Sequence, residues 1–211
     1  MKLEELKELE KTSLRADFKE IVRIVERGAR VLDLGCGPGE LLEALVKFKE
    51  VDARGVEISQ ANVLACVSKG LTVFQGDIDE GLRDYSEGSF GYVILNLTLQ
   101  VVHRPLFVLD EMLRVGKKGL VGIPNFGQWE FRAKLLFTGR MPKTRALPHE
   151  WYNTPNIHLL TIKDFRDVCR AQGYRVLREI YIVDVGGPKG RIVRVLPNLL
   201  AEYALFEITR A

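Results

Sequence analysis

Residues 31–39, VLDLGCGPG, run four strand-like residues into a bend made of three glycines and a proline. Glycine accepts positive φ and carries no Cβ, so a bend of this kind brings backbone close to a ligand. Acidic residues stand near it in the chain: Asp33 just before the bend, Glu57 further on, and Asp77 directly after Gly76. A carboxylate at such a place accepts hydrogen bonds from ligand hydroxyl or amino groups. Asn96 adds an amide. The candidate bases are three histidines, His103, His149 and His158, with Glu150 and Tyr152 beside the second. His103 follows soon after Asn96, and His158 closes the YNTPN stretch, where it could face the same cleft. The histidines lie far apart and pair with no carboxylate at helical spacing, so no metal site is expected.

The elements that must position these groups follow from hydrophobic periodicity. An amphipathic helix spans 16–27, within an N-terminal helical region taken as 14–27, and Gly28 ends it. Strand 30–34 leads into the glycine bend and then a helix over 40–48. Strand 53–58, helix 60–69 and strand 71–75 come next, then a nearly continuous apolar strand over 90–95, as in a parallel sheet buried on both faces. A helix after Pro105 and a strand at 119–123 complete a regular alternation, which implies an α/β doubly wound sheet. In that architecture ligands sit at the carboxyl ends of strands. Asp33 and the bend, Glu57, Asp77 and Asn96 all fall there. The rhythm breaks over about 124–157, a segment with four prolines, both tryptophans and five Lys/Arg. It resumes with helix 162–172 and strand 174–183, and after a Gly186-Gly187-Pro188 turn a last strand runs over 203–209.

Two cofactor classes use a strand–glycine bend–helix device. A dinucleotide site wants G-x-G-x-x-G, whereas here Gly35, Gly37 and Gly39 are evenly spaced and Glu40 follows. That spacing, with Asp33 ahead of it, resembles motif I of class I S-adenosylmethionine (SAM) methyltransferases. The resemblance implies that the bend meets the ligand's amino-acid portion, that Glu57 accepts from both ribose hydroxyls, that Asp77 accepts from the adenine amino group, and that Asn96 lies where methyl group and substrate meet. The cofactor-binding set is then Asp33, Gly35, Cys36, Gly37, Gly39, Glu57, Ile58, Asp77, Ile78 and Asn96, holding SAM or S-adenosylhomocysteine. The Asn/Asp-Pro-Pro-aromatic turn of amino-methylating nucleic-acid enzymes is replaced by Asn96-Leu97-Thr98-Leu99, and no cysteine follows a proline.

Longer stretches carry a narrower likeness. VLDLGCGPGELL, GVEISQANVLACVSKGLTVFQGDIDEGL, VILNLTLQ, FVLDEMLRVG, PNFGQWEFRAKLLFTGRMP and ALPHEWYNTPNIHLLTIKDF resemble the methionine biosynthesis protein MetW family over roughly 14–183, insertion included. Pro38 stands where that family commonly has an acidic residue, and it removes one N–H from the bend. The resemblance implies a Rossmann-like class I SAM-methyltransferase fold with a seven-stranded, mostly parallel sheet, helices on both faces and an insertion after the fifth strand, all in one domain over 1–211. It also implies a role alongside a homoserine O-acyltransferase. No serine lies in a G-x-S-x-G elbow, so acyl transfer belongs to another chain. An active methyltransferase on a small molecule is the alternative, with His103 and His158 as candidate bases. The insertion is read as a partner surface rather than a lid, with Trp129, Trp151, Tyr152, Arg132, Arg140 and Arg145 as contacts. At least one tryptophan is expected to pack the insertion onto the sheet.

Composition sets the outer bounds. The 211 residues are 46% hydrophobic and 28% charged, within the range of a folded domain. A net charge of +3 implies no dominant nucleic-acid or membrane field. No apolar run approaches the roughly 20 residues of a membrane span. The first residues, MKLEELKELEK, lack a signal-peptide core. Cys36, Cys66 and Cys169 form no disulfide framework, which suits a reducing cytoplasm.

Overall fold

A computed structural model describes residues 3–144, 149–184 and 187–210. Eight strands form one sheet: β1 Arg30–Leu34, β2 Asp52–Glu57, β3 Thr72–Gln75, β4 Phe90–Asn96, β5 Gly116–Pro124, β6 Tyr174–Val183, β7 Arg191–Ile192 and β8 Tyr203–Arg210. Their order is β3-β2-β1-β4-β5-β8-β6-β7. The five strands from β3 to β5 are mutually parallel, while β8 runs antiparallel to both β5 and β6. Strand order reverses between β1 and β4, and the crevice beyond their carboxyl ends is where such sheets take ligands.

The helices are α1 Leu3–Lys11, α2 Ala16–Ile24, α3 Glu40–Lys49, α4 Gln60–Ser68, α5 Pro105–Val115, α6 Trp129–Thr138, α7 Ile162–Ala171 and α8 Pro197–Leu200. Side chains alternate across each strand, so the central strands feed two cores. Leu32, Leu34, Val93, Leu95 and Val121 pack on one face with Leu109 and Met112 of α5 and Phe165 of α7. Val31, Tyr92, Ile94 and Leu120 pack on the other with Ile21 and Val22 of α2 and Leu45 and Phe48 of α3. The same alternation puts Asp33 and Asn96 on the α2–α3 side.

The architecture is the expected one, with local differences. The sheet gains an eighth strand, the two-residue β7, which pairs with Ile182 and Val183. The N-terminal helix is shorter than 14–27: Arg15 and Val25 are both extended, and Val25 turns the chain toward β1. Helix α1 had no expected counterpart. Of its residues only Leu9 is buried, and ion pairs Glu5–Arg27 and Glu8–Lys47 tie it down. The insertion holds a helix of its own, α6, which periodicity does not show because its apolar residues form no single stripe and only Phe131 is buried. Arg145 and Gly186 lie outside the described residues.

Candidate functional site

The bend after β1 takes its shape from three left-handed glycines, with φ of 73° at Gly35, 55° at Gly37 and 82° at Gly39. Beyond φ, space also requires glycine: a Cβ at Gly39 would come 2.6 Å from Leu71 and 2.9 Å from Cys66 Sγ. The bend is bound to the end of β2. Gly35 and Cys36 donate to the Val56 carbonyl at 2.8 and 3.3 Å, Gly37 donates to Glu57 Oε2 at 2.8 Å, and Gly39 donates to the Cys36 carbonyl at 3.1 Å. Pro38 has no N–H. Every N–H donor in the bend is therefore engaged within the protein, and what the bend offers a ligand is close approach and carbonyl acceptors rather than donors. Below it, Cys66 Sγ donates to the Gly37 carbonyl at 3.3 Å, and Cys36, Leu42 and Cys66 form a small apolar cluster. Burial pushes both thiols upward, so they stay protonated.

Glu57 ends β2 and is 7% exposed. Its two oxygens accept one N–H each, from Gly37 and from Ser59, both at 2.8 Å. A carboxylate has about four acceptor positions, so capacity remains for a ligand's hydroxyls. Asp77 is half-buried and its Oδ1 accepts from the Asp79 N–H at 2.9 Å, capping the 3-10 turn Ile78–Glu80. Asp79 in turn accepts from the His103 and Arg104 N–H groups, both at 2.8 Å. Between these loops lies a cleft of about 190 Å³ whose lining includes Gly35, Glu57, Ile58, Asp77, Ile78 and His103. Its walls combine acceptors with aliphatic side chains, a lining that suits a flat ring joined to a polyhydroxylated group.

The other expected residues are placed differently. Asp33 is 3% exposed and lies off the cleft on the α2–α3 side. Burial, reinforced by the negative charge of Glu57, raises it to about 7. Asn96 does not line the cleft either. Its Nδ2 donates to Asp17 Oδ2 at 2.8 Å and its Oδ1 accepts from the Tyr203 hydroxyl at 2.7 Å. Fully buried Asp17 is also paired with Arg15 at 2.8 Å. The amide after β4 is thus built into a chain of four side chains. A Cβ at Gly122 would overlap both Asn96 Oδ1 and the Tyr203 hydroxyl.

The histidines separate. His103 lines the cleft. His158 instead closes a mainly apolar hollow of about 160 Å³ between α5 and α7, with Leu99, Leu109 and Phe165, so the two do not share one cleft. His149 lies in a hollow within the insertion beside Lys143, Glu150 and Trp151. Both tryptophans are exposed, so neither is the buried anchor expected for the insertion, and Trp151 meets Tyr152 edge-on at 5.6 Å. The buried aromatic of the insertion is Phe131, against Phe126 at 5.8 Å. Arg132 is engaged internally, with Nε on the Gly127 carbonyl at 2.6 Å. Among the described residues no three His, Cys, Asp or Glu side chains gather as a metal site. No helix among them is long and apolar enough to cross a membrane.

Sequence reasoning missed Thr98 and Asp79. Thr98 fills the space beside Gly35, where a Cβ would approach it to 2.9 Å, and it lines the cleft. Nothing in its local pattern marks it. Asp79 had a signal, the second acidic residue of Asp77-Ile78-Asp79, but its targets lie in a loop distant in sequence.

Residues 15–208 match the family described as methionine biosynthesis protein MetW. A "Bifunctional methionine biosynthesis protein MetXA/MetW" of Rhodopirellula baltica is 39% identical over 178 residues, 80% of this chain and 29% of that protein. A "Ubiquinone biosynthesis O-methyltransferase" of Methylococcus capsulatus is 36% identical over 98 residues, 44% of this chain and 40% of that protein. The chain therefore spans well under half of either curated relative. A SAM-dependent methyltransferase of Archaeoglobus fulgidus superposes with a TM-score of 0.66 at 16% identity, covering 97% of this chain and 94% of that one. At that identity the likeness is one of fold, and the fold is the Rossmann-like methyltransferase one.

Proposed function

The chain belongs to the methionine biosynthesis protein MetW family, and on that premise we propose that it is a SAM-binding accessory of a homoserine O-acyltransferase. The observation that carries the ligand reading is Glu57, held by two N–H groups in the lining of a cleft that Asp77 also lines. Glu57 would take the ribose hydroxyls, Asp77 the adenine amino group, and Ile58 and Ile78 the faces of the ring. Asp33 would act from beneath the bend as a counter-charge to the ligand's amino-acid portion. SAM supplies a methyl group on a sulfonium when bound; S-adenosylhomocysteine would fill the same contacts.

The accessory role draws support from two directions. A relative bearing both names in one polypeptide motivates the partner. The post-strand amide, meanwhile, is oriented by Asp17 and Tyr203 and does not line the cleft where an acceptor would sit. The docking surface we assign is the end of α6 together with the next few residues of the insertion. Leu136 and Phe137 are 77% and 83% exposed there, near Arg140 and Lys143. By sequence, segment 124–157 carries as much net positive charge as the whole chain, +3. An acidic, partly apolar patch on the partner is its complement. One sheet running through the described residues is the ground for reading a single domain, and the buried free thiols suit a cytoplasmic setting.

A methyltransferase acting on a small molecule is the second reading, favoured by His103 at the cleft, where an imidazole can take a proton from an attacking nucleophile. Calorimetric titration with SAM, repeated with the acyltransferase of the same organism present, tests the proposal. SAM binding together with a complex on gel filtration is expected. Without a complex at tens of micromolar the accessory reading fails, and SAM-dependent turnover by the isolated chain that is lost in His103→Ala would replace it.

A further inference from the structure

The insertion is bonded at Gln100 to the loop that builds one side of the cleft. On its way back to the sheet the insertion passes Ile157 and His158, whose backbone N–H groups both donate to the Gln100 carbonyl, at 2.8 and 3.0 Å. Gln100 is buried, and its side-chain Nε2 donates to the Leu97 carbonyl at 2.7 Å. Leu97 itself has φ of +55°, a left-handed conformation that a leucine keeps only when its surroundings impose it. Here the Gly122 carbonyl fixes its N–H at 2.8 Å. The other side of this same loop builds the cleft through Thr98, Val101, Val102 and His103. The loop is thus held by the insertion at Gln100 and by Asp79 at its far end, with the ligand cleft between the two attachments.

Two polar atoms at the junction are left over. Gln100 Oε1 and His158 Nε2 are both buried with no hydrogen-bond partner among the described residues. They belong to the two residues that the backbone bond joins. One is an acceptor and the other a nitrogen able to donate, and leaving both unpaired is costly. A shift of the 157–158 segment that brought Nε2–H onto Oε1 would satisfy both and carry the loop with it. Two arrangements of the junction, one with that bond and one without, are what coupling between the sites would require.

We propose that Gln100 is a positioning residue that couples the cleft to the insertion, so that a nucleoside ligand in the cleft and a protein docked on the insertion each alter the other's affinity. The inference rests on the proposed cleft ligand and docking surface. Thermodynamic linkage makes the effect reciprocal. Ligand pressing on Thr98 and Val101 favours one setting of the loop, and Gln100 transmits it to the 157–158 segment, which lies outside the cleft.

Amide hydrogen exchange on the full chain, with and without saturating SAM, tests this, with calorimetry run in parallel. In the wild-type chain SAM should slow exchange across residues 155–161 by about fivefold or more, along with 97–103. Gln100→Met, which keeps the shape but loses the Leu97 bond and the acceptor, should still bind SAM and lose the effect at 155–161. His158→Phe removes Nε2 but keeps the backbone N–H; it should do the same and serves if Gln100→Met fails to fold. SAM binding with protection at 97–103 and none at 155–161 overturns the coupling, as does full protection of 155–161 in either variant. Absence of any binding heat instead overturns the cofactor assignment and the coupling with it, so calorimetry separates the two failures.

Discussion

Replacing Glu57 by alanine removes an acceptor that the cleft and the glycine bend share, through Gly37 and Ser59. Losing a charged acceptor for ligand hydroxyls should weaken SAM binding by roughly 1.5–3 kcal/mol, about 10- to 150-fold, in a calorimetric titration. Unchanged affinity would remove Glu57 from the site. Asp33 makes a different prediction because its folded value is raised to about 7, whereas the unfolded chain titrates near ~3.9. Between those values the unfolded state loses a proton that the folded state keeps. Stability should therefore fall as pH rises from about 4 to about 7 and level off above, by up to roughly 4 kcal/mol. Urea denaturation of Asp33→Asn across that range should show a flatter profile than the parent. A cationic ligand nearby selects the carboxylate form, so SAM affinity should rise about tenfold from pH 6 to pH 8 and stay level in Asp33→Asn.

Among the elements, α7 is the one whose start is most fully capped. The Thr161 Oγ1 accepts from the Asp164 N–H at 3.3 Å, while Asp164 Oδ2 accepts from the Thr161 N–H at 2.9 Å. This reciprocal cap sets where the chain leaves the insertion and re-enters the sheet layers. Thr161→Ala should cost about 1 kcal/mol and lower Tm by about 2–4 °C. A calorimetric scan with no change in Tm would show that packing of Phe165 alone positions the helix. The contrast with α6 is physical. Helix α7 has one apolar face, with Ile162, Phe165 and Cys169 buried, and periodicity finds it. Helix α6 places Leu135, Leu136 and Phe137 in succession, all exposed, and no periodic rule for a buried face can find it.

For the molecule as a whole, that exposed run sits on the segment that breaks the alternating pattern, away from the cleft. Replacing Leu136 and Phe137 with serine and Arg140 with alanine should leave Tm within about 2 °C of the parent, because no core contact is lost. SAM affinity of the isolated chain should also hold. The complex with the acyltransferase should dissociate on gel filtration. An intact complex would move the docking surface elsewhere, and weakened SAM binding in the isolated chain would make the segment a lid instead. Arg132 is a poor choice for this test, since its bonds to Gly127 and Asn198 hold α6 in place.

Local chemistry determined much of this from the sequence alone. Strand and helix periods, the glycine bend after β1, and acidic residues at strand ends are set by neighbours within a few positions, and they fixed the fold class and the region of the cleft. The resemblance over 14–183 narrowed the family further, and the family match spans 15–208. What the tertiary structure decided depends on partners far along the chain. Asn96 is captured by Asp17 and Tyr203, 79 and 107 residues away, and this holds the amide to the α2 side of the sheet, off the cleft lining. His103 and His158 part company because Asp79 holds the backbone of one loop and Gln100 that of another. Side-chain direction at a strand end alternates locally along the strand, but which helix covers each face is set by topology and is not encoded within a few residues of the side chain itself.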